Sequence, residues 1–84
     1  MPKIEVYTTD YCPYCTRAKD LLKRKGAEFT EFDVTNDQEG RVALVEKAGG
    51  RKTVPQIFIG ETHVGGFDDL AALDKKGELD ALLA

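Results

Sequence analysis

The sequence predicts an α/β fold in the order βαβαββα, with helices covering the faces of a sheet whose last two strands close as a hairpin. Three observations predict it. Lys3-Ile4-Glu5-Val6 alternates polar and apolar, as a half-buried strand does. Ala18, Leu21 and Leu22 then recur at helical spacing among Arg17, Lys19, Lys23 and Arg24. Gln56-Ile57-Phe58-Ile59 is a short apolar run suited to a strand buried on both faces, and Gly60-Glu61 offers a two-residue turn into Thr62-His63-Val64.

Each element has its own signal. Pro13 fits a first helical turn, where a backbone N–H is unpaired anyway, so the first helix is expected from Pro13 to Lys25, ending at Gly26. Lys23-Arg24-Lys25 falls in its last turn, where cations complement the negative helix end. Glu28 to Val34 reads as the second strand, with Phe29 and Phe32, though its alternation is imperfect. Asn36 or Asp37 caps a second helix reaching Ala48, with Val42, Val45 and Ala48 as its expected apolar face and Gly49-Gly50 as its stop. Gly65-Gly66 breaks the hairpin, and Asp68 or Asp69 starts a third helix through Leu70 and Leu73. A last segment after Gly77 packs Leu79, Leu82 and Leu83.

Composition bounds what the chain does. Its 84 residues suit one domain, 1–84, and 42% hydrophobic content with regular patterning argues against disorder. A net charge of −3 gives no sign of nucleic-acid binding, and no apolar stretch approaches membrane-spanning length. Met1-Pro2-Lys3 runs straight into the first strand, so no signal peptide is expected. The two cysteines form one CxxC pair rather than a disulfide framework, which predicts a reducing, cytoplasmic setting.

Cys12-Pro13-Tyr14-Cys15 carries the chemistry. It lies where a strand turns into a helix, which puts Cys12 at the positive end of the peptide dipoles and favours its thiolate. A more acidic thiol gains ionised fraction but loses nucleophilicity, so attack changes little; the larger benefit is that Cys12 leaves a mixed disulfide readily. Cys15, one turn on, is expected to be less exposed and to act as the resolving thiol. Zinc is disfavoured, since a closed site wants about four ligands and the chain offers two thiols and one His63. A disulfide closing so short a loop would stabilise the fold little.

With Cys12-Pro13-Tyr14-Cys15, Thr53-Val54-Pro55-Gln56-Ile57-Phe58-Ile59 and Gly65-Gly66-Phe67-Asp68-Asp69-Leu70 in this order, the chain resembles a dithiol glutaredoxin over essentially its whole length. The resemblance implies a thioredoxin fold, a four-stranded mixed sheet flanked by helices. It implies a monomeric glutathione-disulfide oxidoreductase with glutathione as cosubstrate and no resident metal. Glutathionylated or disulfide-bonded proteins are its implied partners, reduced through the Cys12/Cys15 pair.

The resemblance also assigns a glutathione site. Pro55, by itself readable as a simple strand-start proline, is cis in the family and bares Val54 to pair with the cysteinyl part of glutathione, with Thr53 alongside. Gly66 permits close approach, Phe67 and Asp68 donate backbone N–H groups to the γ-glutamyl carboxylate, and the Asp68 carboxylate meets the adjacent ammonium. Tyr14 lines the cleft, Arg41 is the candidate for the glycyl carboxylate, and Asp69 caps the helix. His63 is expected on the hairpin surface, and Tyr7 and Phe58 in the core. Two departures stand out: Thr8-Thr9-Asp10 lacks the lysine many relatives carry, which predicts weaker glutathione binding, and Phe67 replaces a small residue. The alternative implied function is a homodimeric carrier of a [2Fe–2S] cluster held by two Cys12 and two glutathione thiolates, although Pro13 goes more with the oxidoreductases. A third reading, a redox-sensing module, expects a Cys12–Cys15 disulfide that glutathione does not turn over.

Overall fold

A computed structural model of the protein describes residues 2–84. Strand β1 (Ile4–Thr8) leads into α1 (Pro13–Arg24), β2 (Thr30–Asp33), α2 (Gln38–Lys47), β3 (Gln56–Ile59), β4 (Thr62–Gly65), α3 (Phe67–Lys75) and α4 (Glu78–Leu83). The sheet order is β2-β1-β3-β4. β1 and β2 run parallel because α1 crosses between them, whereas β3 is antiparallel to both β1 and β4. This mixed sheet flanked by helices is the expected thioredoxin fold, with the last segment folded as a separate short helix.

Strand alternation divides the core in two. Ile4, Val6, Ile57 and Ile59 face α1, α3 and α4, where Ala18, Leu21, Leu22, Leu70, Leu79 and Leu83 meet them. On the opposite face Phe58 packs with Val34, Leu44 and Ala48 of the α2 region, flanked by Tyr7 and Val54. β3 is therefore buried on both faces along its whole length, as its apolar run predicts. Lys25 Nζ ties the end of α1 to Asp74 at 2.6 Å and to Asp80 at 3.1 Å, so one of the three basic residues there is engaged with α3 and α4 rather than with its own helix end.

Two expectations change. β2 is shorter than 28–34, and all four of its residues are exposed, because it is an edge strand paired only with β1. Its apolar residue Phe32 gains contact by stacking on Tyr7, ring centroids 4.9 Å apart. On α2 the buried face is Leu44 with Ala48, while Val42 is 57% exposed and Val45 half-buried. Asp37 caps this helix by accepting the Gly40 N–H at 2.9 Å, which sets a phase in which residues 44 and 48 point inward and 42 lies nearly opposite.

This phase has a measurable consequence. Leu44→Ala should cost about 2–4 kcal/mol in urea unfolding, and Val42→Ala should stay within about 0.5 kcal/mol. Equal losses at the two positions would contradict the assigned face.

Candidate active site

The redox loop lies at the seam between β1 and α1. Cys12 is the N-cap of α1, with extended backbone (φ −106°, ψ 106°), and Pro13 opens the first turn. As cap, the Cys12 Sγ accepts the Cys15 N–H at 3.1 Å. On its other side the same sulfur lies 3.5 Å from the Val54 carbonyl oxygen, to which the thiol form donates. The two contacts serve the two charge states: the N–H supports a thiolate, and the carbonyl accepts from a thiol. Cys12 is partly exposed, and both cysteines are free thiols.

Cys15 is different. It is 1% exposed, on the buried face of α1 with Ala18 and Leu22. Burial, reinforced by the hydrogen bond with Cys12, pushes its thiol up to about 12. The Thr9 backbone and the Lys19 charge pull weakly the other way. Lys19, one turn beyond Cys15 on α1, is held by Glu31 at 2.9 Å, and Glu31 also accepts the Thr8 hydroxyl at 2.7 Å. A pair in which one sulfur is open and capped and the other is buried and protonated has a built-in order of reaction. Two of the contributions that hold the Cys15 proton, a hydrogen bond and a charge interaction, come from Cys12, so the state of one sulfur bears on the other.

Beside Cys12 runs a groove of about 240 Å³ lined by Tyr14, Arg51, Thr53, Val54, Pro55, Gly66, Phe67, Asp68 and Asp69. Val54–Pro55 is the cis peptide bond among the described residues. Gly65 ends β4 at φ +113°, and a Cβ there would collide with the Asp69 carboxylate and the Arg51 guanidinium, so glycine is required at that turn. Gly66 is the N-cap of α3, and its N–H donates to Asp69 Oδ2 at 3.0 Å. Asp68 and Asp69, expected to start this helix, are instead its second and third residues, because the turn at Gly65 makes Gly66 the N-cap. Asp69 still serves the helix start by accepting the Gly66 N–H, which, followed by Arg51, holds its carboxyl below the ordinary range. Phe67 and Asp68 line the groove as the first two residues of the helix, whose N–H groups have no intrahelical acceptors and favour an anion. The Asp68 carboxylate is exposed and makes no hydrogen bond or ion pair among the described residues.

Of the eight expected residues other than the cysteines, seven belong to this groove. Tyr14, Thr53, Val54, Pro55, Gly66, Phe67 and Asp68 all line it, and the Tyr14 and Phe67 rings stand 6.3 Å apart across its mouth. Arg41 does not. Its guanidinium donates to the Val34 carbonyl at 2.8 Å and to the Tyr11 hydroxyl at 2.9 Å, and it lines a separate concavity of about 520 Å³ with Thr35, Asn36, Gln38, Val42 and Val45. That larger hollow contains no sulfur and none of the groove's residues, so the chemistry belongs to the smaller one. The cation that does line the groove is Arg51, bonded to Asp69 Oδ2 at 3.2 Å. Sequence reasoning missed it, because Arg51 lies two residues before the Thr53-Val54-Pro55 stretch and belongs to no motif of its own.

The two cysteines should therefore react very unequally. With iodoacetamide at neutral pH, mass mapping of the native protein should find Cys12 alkylated well before Cys15. Comparable rates at the two would contradict the burial and protonation of Cys15.

The family model for glutaredoxin matches residues 4–64. A glutaredoxin of Pseudomonas aeruginosa is 58% identical over 84 residues, covering 100% of this chain and 99% of that protein. The solution structure of a glutaredoxin from Brucella melitensis superposes with a TM-score of 0.87 at 55% identity, covering 99% of this chain and 89% of the other. A buckwheat glutaredoxin–glutathione complex superposes with a TM-score of 0.88 at 32% identity, over 98% of this chain and 76% of the other. The capped sulfur, the buried second thiol and the adjoining groove thus occur in a chain that belongs to the glutaredoxin family of glutathione-dependent oxidoreductases.

Proposed function

We propose that this protein reduces protein–glutathione mixed disulfides with Cys12 alone and protein disulfides with the Cys12/Cys15 pair. The observation that carries this reading is the contrast between the two sulfurs, one capped at a helix N-terminus beside a groove and one 1% exposed. In the first reaction the Cys12 thiolate attacks the glutathione sulfur of a glutathionylated protein. The S–S bond breaks, the client leaves as a thiolate and takes a proton from water, and glutathione remains on Cys12. The thiolate of a second glutathione attacks that sulfur, releasing oxidised glutathione and the Cys12 thiolate.

In the second reaction Cys12 attacks a client disulfide and forms a mixed disulfide with one client sulfur, while the other leaves as a thiol. Cys15 then gives up its proton and attacks the Cys12 sulfur, releasing the second client thiol and leaving a Cys12–Cys15 bridge. Two glutathiones reduce that bridge, one after the other, to give oxidised glutathione. Capping Cys12 in the mixed disulfide removes its charge from beside Cys15, which supports deprotonation of Cys15 at the step where it is needed.

The groove suits glutathione in this scheme. The Val54 backbone is available for strand-like pairing with the cysteinyl unit, and the Phe67 and Asp68 N–H groups suit the γ-glutamyl carboxylate. The exposed Asp68 carboxylate suits the neighbouring ammonium. Arg51, over Gly65 and Gly66, adds a cation to the same end, and Thr53 forms the wall beside Val54. Arg41, bonded to Tyr11 and Val34, lies outside this groove, so it reaches the glycyl carboxylate only where the tripeptide extends beyond the groove's lining.

Glutathione-coupled NADPH consumption separates the two reactions. Cys12→Ser should abolish turnover of both a glutathionylated peptide and a disulfide-bonded protein. Cys15→Ser should retain the first and lose the second by at least about tenfold. Activity of Cys12→Ser near wild type would overturn the assignment of the nucleophile.

A further inference from the structure

One side of the groove rests on a buried polar chain that leads to a residue expected on the surface. Gln56 is 0% exposed, at the start of β3 and next to Pro55. Its amide Nε2 donates to the Thr53 carbonyl at 2.9 Å and to Thr53 Oγ1 at 3.2 Å. A carbonyl can only accept, so the amide cannot be turned the other way, and Oε1 must point away from Thr53. Gln56 Oε1 meets His63 Nε2 at 2.8 Å. Two acceptors cannot pair, so Nε2 carries the proton and donates, whatever the state of Nδ1. His63, in β4, is half-buried, with its ring stacked on Phe58 at a centroid distance of 4.7 Å and an interplanar angle of 19°. The directions of all three hydrogen bonds are therefore fixed, from His63 through Gln56 to Thr53.

This arrangement is costly to leave incomplete. A fully buried amide oxygen without its donor loses solvation with no replacement, and Gln56 relieves that by moving. Thr53 is exposed and has no strand partner, because it precedes β3 on the loop from α2. Gln56 accordingly supplies the hydrogen bonds that hold Thr53, and Thr53 adjoins Val54, whose carbonyl faces the Cys12 sulfur.

We propose that His63 is a positioning residue for the glutathione groove, acting through Gln56 to hold Thr53 and Val54 in the register that glutathione pairs with. The proposal rests on the glutathione-dependent function above and adds a remote determinant of its specificity. His63 reaches the groove only through Gln56. Its contribution is thus to the fit of the tripeptide, not to the reactivity of Cys12.

A crossed pair of substitutions tests it, because the ring and the donor can be removed separately. His63→Phe keeps the aromatic stack on Phe58 and removes the N–H. His63→Gln removes the stack and restores an amide N–H at nearly the same distance from the backbone. Steady-state turnover of a glutathionylated peptide gives kcat/KM for glutathione, and iodoacetamide gives the intrinsic reactivity of Cys12. The proposal expects His63→Phe to lower kcat/KM for glutathione about three- to tenfold. It expects His63→Gln to restore most of that loss, with Cys12 alkylation unchanged in both variants. Full activity in His63→Phe, or a loss in His63→Gln that His63→Phe does not share, would overturn the relay and assign His63 to packing alone. A wild-type rate independent of glutathione would instead overturn the proposed function, and the relay with it. Thermal unfolding of both variants confirms that folded protein is compared, and a loss in His63→Phe that tracks its melting rather than the missing donor would also count against the relay.

Discussion

The backbone N–H of Cys15, donated to the sulfur of Cys12, is the contact on which the rest of the site depends. It makes a side chain with no ordinary capping oxygen into the N-cap of α1, and it fixes one sulfur at the helix's positive end. The same helix geometry puts Cys15 on the inward face one turn later, where Ala18 and Leu22 continue the buried stripe. A single helical start therefore produces both halves of the chemistry. Access and burial are assigned by the helix phase, with no further machinery.

The fold brings the other components to that sulfur from distant parts of the chain. β3 is the central strand that both β1 and β4 pair with, and the segment leading into it carries Thr53, Val54 and Pro55. The antiparallel pairing of β3 with β1, from Ile4↔Ile59 to Tyr7↔Gln56, brings the segment before β3 to the end of β1, where the Val54 carbonyl meets the Cys12 sulfur. The turn at Gly65 then returns the chain so that the first N–H groups of α3 close the far end of the groove. Two helix N-termini, those of α1 and α3, thus flank one groove, and each presents unpaired donors to negative charge. A thiolate and a carboxylate are the natural occupants.

Much of this was legible in the sequence because its signals are local. The alternation of β1, the stripe of α1, the apolar run of β3 and the Gly60-Glu61 turn each specify an element within a few residues. Cys12-Pro13-Tyr14-Cys15 specifies the placement of the two sulfurs in the same way. What was not legible depends on pairing across the chain. Val42 and Leu44 are both apolar, and only the cap at Asp37 and the sheet beneath α2 decide which of them turns inward. Arg41 and Arg51 are both cations on the α2 side of the chain, and only the tertiary structure places Arg51 over Gly65 and ties Arg41 to Tyr11. His63 reads as a surface residue until Gln56 is seen buried beneath it, since a polar residue at the start of an apolar strand gives no sign of the partner it needs.

The structure of Cys15→Ser carrying glutathione as a mixed disulfide on Cys12 would examine the central claim most directly. The account predicts the tripeptide lying along Val54 with its γ-glutamyl carboxylate on the Phe67 and Asp68 N–H groups. A tripeptide extending instead into the hollow beside Arg41 and Val42, with the α3 N-terminus untouched, would contradict it.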